Sequence, residues 1–226
     1  MKKFWSVITL CFVLVTAWSQ ESEVRAVGSF TGIKAAEAID VYLSKGDKES
    51  VKVEVSGTDI SNVLTEVSGS YLKIHMQDGR YRNRNVKVYV TYVSLNKIHV
   101  SSAANVFSDG IIKARSMDIS ASSAGSAELS INAESVSIDA SSAGDVVLEG
   151  RATSVEVEVS SAGEIDAYGL ECESGNASAS SGGSAKISVS KELTAHASSG
   201  GSVRYRGSPA KTNTSSSSGG SVKKSN

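Results

Sequence analysis

The sequence predicts an all-β fold, a parallel β-helix or β-solenoid of about 19-residue rungs, with a less regular β segment ahead of it. A tetrapeptide of small residues recurs seven times, as SSAA, SSAG, SSAG, SSAG, SSGG, SSGG and SSGG beginning at 101, 122, 141, 160, 180, 198 and 217. Between the copies, apolar or small residues alternate with polar ones at a period of two, the mark of half-buried strands. The 226 residues include 44 serines and one proline. That composition alone would suit a disordered chain, but the alternation runs through it.

The first element is a signal peptide over residues 1–19. Lys2-Lys3, an apolar run from Phe4 to Val15 and then Ala17-Trp18-Ser19 give the charged, apolar and small-residue order of an export signal. Ile8-Thr9-Leu10 lacks the small residues that a lipoprotein signal places before its cysteine, here Cys11. No later stretch is apolar over the ~18 residues of a membrane-spanning helix, so no transmembrane segment is expected after cleavage. Losing Lys2 and Lys3 leaves 21 basic against 24 acidic residues, a formal charge of −3. No nucleic-acid partner is expected from that balance. Only Cys172 survives maturation, so packing and hydrogen bonds rather than a disulfide must hold the fold.

The second element spans 24–95 and lacks the tetrapeptide. Strand alternation persists in Ile39-Val41-Leu43, Val51-Val53-Val55, Leu72-Ile74-Met76 and Val86-Val88-Val90, with turns at Gly46-Asp47 and Asp78-Gly79. It is expected to cap or begin the solenoid, either as irregular early rungs or as a small sheet of its own.

The third element, 96–226, is the seven-rung solenoid. Aligned on the second serine of each copy, the column four residues upstream reads Ile98, Ile119, Ile138, Val157, Ala177, Ala195 and Thr214, and the column four downstream reads Val106, Ala127, Val146, Ile165, Ala185, Val203 and Val222. Each unit is expected to hold two short strands, one ending in the serine pair and one starting after the glycine. Stacking pairs each strand with its equivalent in the next rung and satisfies its backbone edges. Seven rungs at ~4.8 Å make a rod roughly 35 Å long.

The turn residues Ser123, Gly125, Ser142, Gly144, Ser161, Gly163, Ser181, Gly183, Ser199 and Gly201 are given a structural role. The expectation is that glycine supplies positive φ there, and that the second serine points inward with its hydroxyls stacked. No G-x-S-x-G elbow accompanies any serine. The inward columns weaken along the chain, from Val136, Ile138 and Ala140 to Gly175, Ala177 and Ala179 and finally Thr212, Thr214 and Ser216. The last rung is therefore expected to be a polar cap or loosely held.

From FTGIKAAEAIDVYLSKG through SVKVEVSG, SYLKIHM and VKVYVTYVSLNKIHVSSAANV to the SSAG rungs, the chain resembles the family called the putative autotransporter adhesin head, or GIN, domain. No Gly-Ile-Asn occurs, and Ala38-Ile39-Asp40 is the nearest equivalent. The resemblance implies a secreted β-helix-like module of Gram-negative bacteria with an adhesive role, and it brings no catalytic residues with it. The SSSSGGSVKKSN end is expected to leave no room for a translocating barrel of ~8 or more strands.

The loop DGRYRNRN, 78–85, is the candidate ligand site. Arg80, Arg82 and Arg84 around Tyr81 suit phosphorylated or acidic glycans through bidentate hydrogen bonds and stacking, and a solvated hairpin tip is the plain alternative. Charge is also segregated. Residues 116–173 carry twelve carboxylates and Arg151, whereas 174–226 carry seven bases and Glu192, an arrangement open to self-association as well as to simple solubility. Glu156 and Glu158 would share an outward face ~7 Å apart. No long loops flank them to build a cleft, so no catalytic residues are assigned. His75, His99 and His196 lack metal-site spacing, and Cys172 is placed in a turn where it could cross-link two chains. No cofactor or metal is expected.

These features predict an exported cell-envelope solenoid, periplasmic or on the outer surface, that serves as a non-catalytic binding or adhesion module for a glycan or protein. A structural or self-assembling envelope element without a specific ligand is the alternative.

Overall fold

The computed structural model describes residues 21–225, and the signal peptide expected over 1–19 lies outside them. Sixteen strands form one hydrogen-bonded sheet wound into a solenoid. Eight short strands come first: β1 (Glu21–Arg25), β2 (Gly32–Ala35), β3 (Asp40–Lys45), β4 (Ser50–Ser56), β5 (Val63–Ser68), β6 (Tyr71–Met76), β7 (Asn85–Tyr92) and β8 (Lys97–Val100). Five long ones follow: β9 (Asn105–Ala121), β10 (Ser126–Ala140), β11 (Asp145–Val159), β12 (Glu164–Ala179) and β13 (Ser184–Ala197). The last rungs are β14 (Ser202–Arg206), β15 (Lys211–Ser216) and β16 (Ser221–Lys224).

The two short strands expected per rung are fused in the middle of the rod. Each of β9 to β13 is a single strand of 14 to 17 residues running from one serine turn to the next. The second corner is a change of phase in the alternation rather than a tight turn: Ala133 and Val136, three residues apart, are both buried. Strands that pair in parallel on both sides keep their ladder through such a bend.

On the first wall an inward column runs unbroken from Val53 through Val88, Val41, Val106, Ala127, Val146, Ile165, Ala185 and Val203 to Val222. Every member before Val222 is at 0 % exposure. On the second wall Leu72, Ile33, Ile98, Ile119, Ile138, Val157, Ala177, Ala195 and Thr214 stand in register. These two columns enclose the core, as the alternation predicts. Gly175 does not leave a hole, because a Cβ there would lie 2.7 Å from Cγ2 of Val189.

The unequal intervals between serine pairs, 18 to 21 residues, are absorbed away from the turn. Against β10, β9 carries two extra residues between Phe107 and Ile111. Against β11, β12 carries one extra between Asp166 and Gly169. Bulges placed after the first-wall column thus protect the register of the turn column.

The turn itself differs from expectation in two respects. The second serines, Ser102, Ser123, Ser142, Ser161, Ser181, Ser199 and Ser218, are the residues with positive φ, between 48° and 52°, and they are exposed. The third position is also left-handed, at about 60° for Ala103, Ala124, Ala143 and Ala162 and 75–77° for Gly182, Gly200 and Gly219. Two such residues, closed by a hydrogen bond such as Gly144 N–H to the Ser141 carbonyl (2.8 Å), make a type I′ turn, whose twist matches that of strands. The second serine is joined to the neighbouring rung by backbone rather than hydroxyl: the Ala143 N–H donates to the Ser161 carbonyl at 3.2 Å, and the same bond repeats from rung to rung.

The fourth-position glycines do not have positive φ. They are required by close approach, since a Cβ on Gly144, Gly201 or Gly163 would lie 2.3, 2.4 or 2.7 Å from a backbone oxygen of the preceding rung, and Gly125 and Gly183 are nearly as tight at 2.8 and 2.9 Å.

The N-terminal strands continue both walls. β2 and β3 form a rung directly on β8 and β9, and β6 and β7 form the next one out. Space order therefore inverts chain order here. The turn between β2 and β3 is Ala36-Glu37-Ala38-Ile39, with Glu37 and Ala38 at φ 67° and 52°, a member of the serine column in other residues. Antiparallel β4 and β5 cover β7 and β6, and β1 pairs with β4. By that register Glu21, Glu23 and Arg25 share the face of Val55, Val53 and Val51. Charges on the inward side of an edge strand blunt it against pairing with another chain.

At the opposite end all of β15 is exposed. Amide hydrogen exchange is expected to show β15 and β16 opening first and the strands from β3 to β11 last. Equal protection along the rod would contradict this.

Candidate functional site

The loop that joins β6 to β7, residues 77–84, stands at the position of a serine turn in the outermost parallel rung. It is longer than SSAG because nothing in parallel stacks beyond it, so its side chains have space that inner turns lack. All four residues singled out from the sequence come together here. Arg80, Tyr81, Arg82 and Arg84 line one cavity of about 430 Å³ with Glu37, Met76, Gln77, Asp78 and Gly79.

Tyr81 is fixed by its hydroxyl, which donates to the Gln77 carbonyl at 2.9 Å. The Arg84 guanidinium lies 5.6 Å from the Tyr81 ring centroid and donates from Nη2 to the Glu37 carbonyl. Its Nε is buried without a protein partner. Asn83, at φ 53°, is seated against Gly57, where a Cβ would come within 2.3 Å of its carbonyl oxygen. Arg80 and Arg82 are exposed and have no ion-pair partner among the described residues. The cavity thus has one guanidinium anchored beside an aromatic ring and two open ones.

Glu37 was not legible as part of this site. Its backbone holds Arg84, and its Oε2 accepts the Met76 N–H at 2.7 Å, which ties the inner turn to the outer loop. The available signal was the match of IKAAEAIDV to IHVSSAANV, which puts Glu37 in the place of the exposed second serine.

The other marked residues lie apart from the loop. Glu156 and Glu158 both point outward on β11 and are exposed. His99 and His196 occupy one outward column, with Ser120, Asp139, Glu158 and Ser178 between them. Among the described residues no group of three or more His, Cys, Asp or Glu could hold a metal. Cys172 is not in a turn: it lies within β12, buried at 5 % exposure, and burial pushes its thiol up to about 12. Inter-chain cross-linking through it has no physical basis in this fold.

The segregated charges meet across rungs. Lys186 reaches Glu164 at 2.9 Å and Asp166 at 3.0 Å, Lys191 reaches Glu173 at 2.8 Å, and Arg151 reaches Glu171 at 3.3 Å. Asp139 sits within the acidic band on the second wall. Asp139 is exposed, and desolvation, then Glu158, Asp118 and Glu156, hold its carboxyl above the ordinary value of 3.8. The folded state therefore binds this proton more tightly than the unfolded state, and Asp139 favours folding more as pH falls from neutral through the raised value. Asp139→Asn is expected to raise the melting temperature at neutral pH, with the gain vanishing below the ordinary aspartate value of 3.8. Melting curves over pH check this, and an unchanged or lowered temperature at neutral pH would refute it.

A narrow two-walled solenoid with shallow surface clefts, its interior filled by side chains, defines a class of elongated binding module. Residues 29–209 match the family model described as "Putative auto-transporter adhesin, head GIN domain", and the chain belongs to that family. Its fold is similar to that of a putative adhesin from Bacteroides fragilis, with a TM-score of 0.84 at 19 % identity over 92 % of this chain and 98 % of that one. It is also similar to a putative adhesin from Parabacteroides merdae (0.75, 16 % identity, 92 % and 96 % covered) and to a putative lipid binding protein from Parabacteroides distasonis (0.68, 18 %, 92 % and 97 %). A search of curated proteins finds no match to this chain. The family's description as an adhesin head goes with an exported or surface protein. No helix among the described residues is long and apolar enough to cross a membrane.

Proposed function

We propose that this chain is an exported, non-catalytic binding module of the cell envelope, and that it takes an acidic glycan, or an acidic segment of a protein, in the arginine cleft of the outermost turn. The observation that supports this reading most is the convergence of Arg80, Tyr81, Arg82 and Arg84 on one cavity. Guanidinium groups grip carboxylate, sulfate or phosphate with paired hydrogen bonds. Tyr81 offers an apolar face to a sugar ring, and the anchored Arg84 gives the cleft a fixed point. The regular serine rungs act in this scheme as a stiff spacer that carries the loop.

Arg80→Ala/Arg82→Ala is the test, because both side chains are exposed and their removal leaves the folding contacts of Arg84 in place. Binding to sulfated or phosphorylated polysaccharide is expected to fall about tenfold or more, since each charge-assisted hydrogen bond contributes about 1.5–3 kcal/mol. It should also weaken steeply with added salt. Binding that the double variant leaves unchanged would end the proposal.

A further inference from the structure

We propose that the outward column Tyr89–Tyr42–Phe107 on the first wall, together with the cavity at its foot, is a second binding strip that takes an uncharged chain of pyranose sugars. It does not rest on the arginine cleft. The three rings come from β7, β3 and β9, paired in parallel register. Their centroids are 5.2 and 5.3 Å apart at interplanar angles of 19° and 23°. Carbon atoms in contact lie at ~3.5–4.0 Å, so rings this far apart have slid past one another like shingles. Tyr42 has a ring on both sides, Lys52 of β4 places its Nζ 5.7 Å from the Tyr89 centroid, Phe107 lines the cavity beyond, and Tyr89 is 38 % exposed.

The strip is one ring wide with a polar rim on each side. Lys87, Asp40 and Asn105 stand two residues before the rings, and Thr91 and Ser44 two residues after. The Asn105 amide donates to Asp40 Oδ1 at 2.7 Å, which orients both and leaves lone pairs and an N–H for a ligand. Beyond Phe107, the two-residue bulge in β9 opens a cavity of about 240 Å³, with Phe107, Leu129 and Val147 as apolar lining and Ser108, Glu128 and Glu149 as polar lining. Val147 is 39 % exposed.

A pyranose matches this pattern because it has an apolar C–H face and a rim of hydroxyls that donate to carboxylates and amides. A protein partner matches it poorly. A stable interface covers about 800 Å² on each side, whereas three aromatic side chains of ~150–250 Å² each, already half covered by one another, supply much less. Cross-strand stacking of the rings also stabilises the sheet, so binding and melting are measured separately.

The full mature chain is titrated, by tyrosine fluorescence and by NMR, with linear neutral β-linked hexasaccharides of glucose, of xylose and of N-acetylglucosamine. Saturable binding of at least one is expected, unchanged in ~1 M salt, where charge effects are screened beyond about 3 Å, and unchanged in Arg80→Ala/Arg82→Ala. Phe107→Leu keeps apolar packing but removes the ring face, and is expected to weaken binding about tenfold. Should Phe107→Leu lose its cooperative melt, Tyr89→Leu at the other end of the column, beside Lys52, replaces it. The proposal is overturned if none of the three sugars binds, if the leucine variant binds as well as the parent, or if the strip instead mediates self-association that the variant abolishes.

Discussion

Gly144→Ala is expected to destabilise the rod by about 3 kcal/mol, at the upper end of the usual cost of forcing extra atoms into a packed site, while Gly182→Ala, one turn position different, costs about 1 kcal/mol or less. At Gly144 the new Cβ would lie 2.3 Å from the Ala121 oxygen and 2.5 Å from its carbonyl carbon. Those atoms belong to the ladder between rungs, where the Ala121 carbonyl accepts the Ser141 N–H at 3.0 Å. The clash cannot be relieved by a side-chain rotation. It must separate two rungs or tilt the turn. Gly182 sits at φ 75° with nothing within 4 Å of an added Cβ, and the equivalent third positions of four other turns hold Ala103, Ala124, Ala143 and Ala162 in that same left-handed region. Urea titrations of the two variants check the contrast. Equal midpoints would mean that close approach does not explain the fourth-position glycine.

That pair of glycines also marks the boundary of what the sequence could disclose. Repetition exposes a column, so the stacked turns, the inward rows and the need for small residues were all legible. Repetition does not say why a residue is small. The conformational demand falls on the second and third positions and the steric one on the fourth, and both filter for the same few residue types. The outermost rungs were obscure for a different reason. The β2–β3 turn is Ala36-Glu37-Ala38-Ile39, which keeps the backbone of a serine turn without its letters, and β6–β7 is placed outside β2–β3 although it follows in the chain.

The four loop residues of the arginine cleft were readable because they fall within five consecutive positions, 80–84. Glu37, which holds Arg84, was not, because the turn that carries it had no serine. The aromatic column was harder still. Val41-Tyr42, Val88-Tyr89 and Val106-Phe107 look like three ordinary strand words until the spatial order 89, 42, 107 is known.

Ile138→Ala is expected to cost about 2–5 kcal/mol, whereas Thr214→Ala, in the same inward column, should stay within about 0.5 kcal/mol. Ile138 is 1 % exposed and lies between Ile119 and Val157 on the second wall. In a stack each rung packs on both neighbours, so a cavity in a middle rung weakens two interfaces. Thr214 belongs to the wholly exposed strand β15 and pairs only with Ala195 of β13. Stability is therefore concentrated in the rungs from β6–β7 to β11, which also present the aromatic column and carry the arginine cleft. The polar end can fray without disturbing either surface. Chemical denaturation of both variants, with hydrogen exchange to locate the change, tests this gradient. A Thr214→Ala loss as large as that of Ile138→Ala would show the last rung to be an integral part of the packed core.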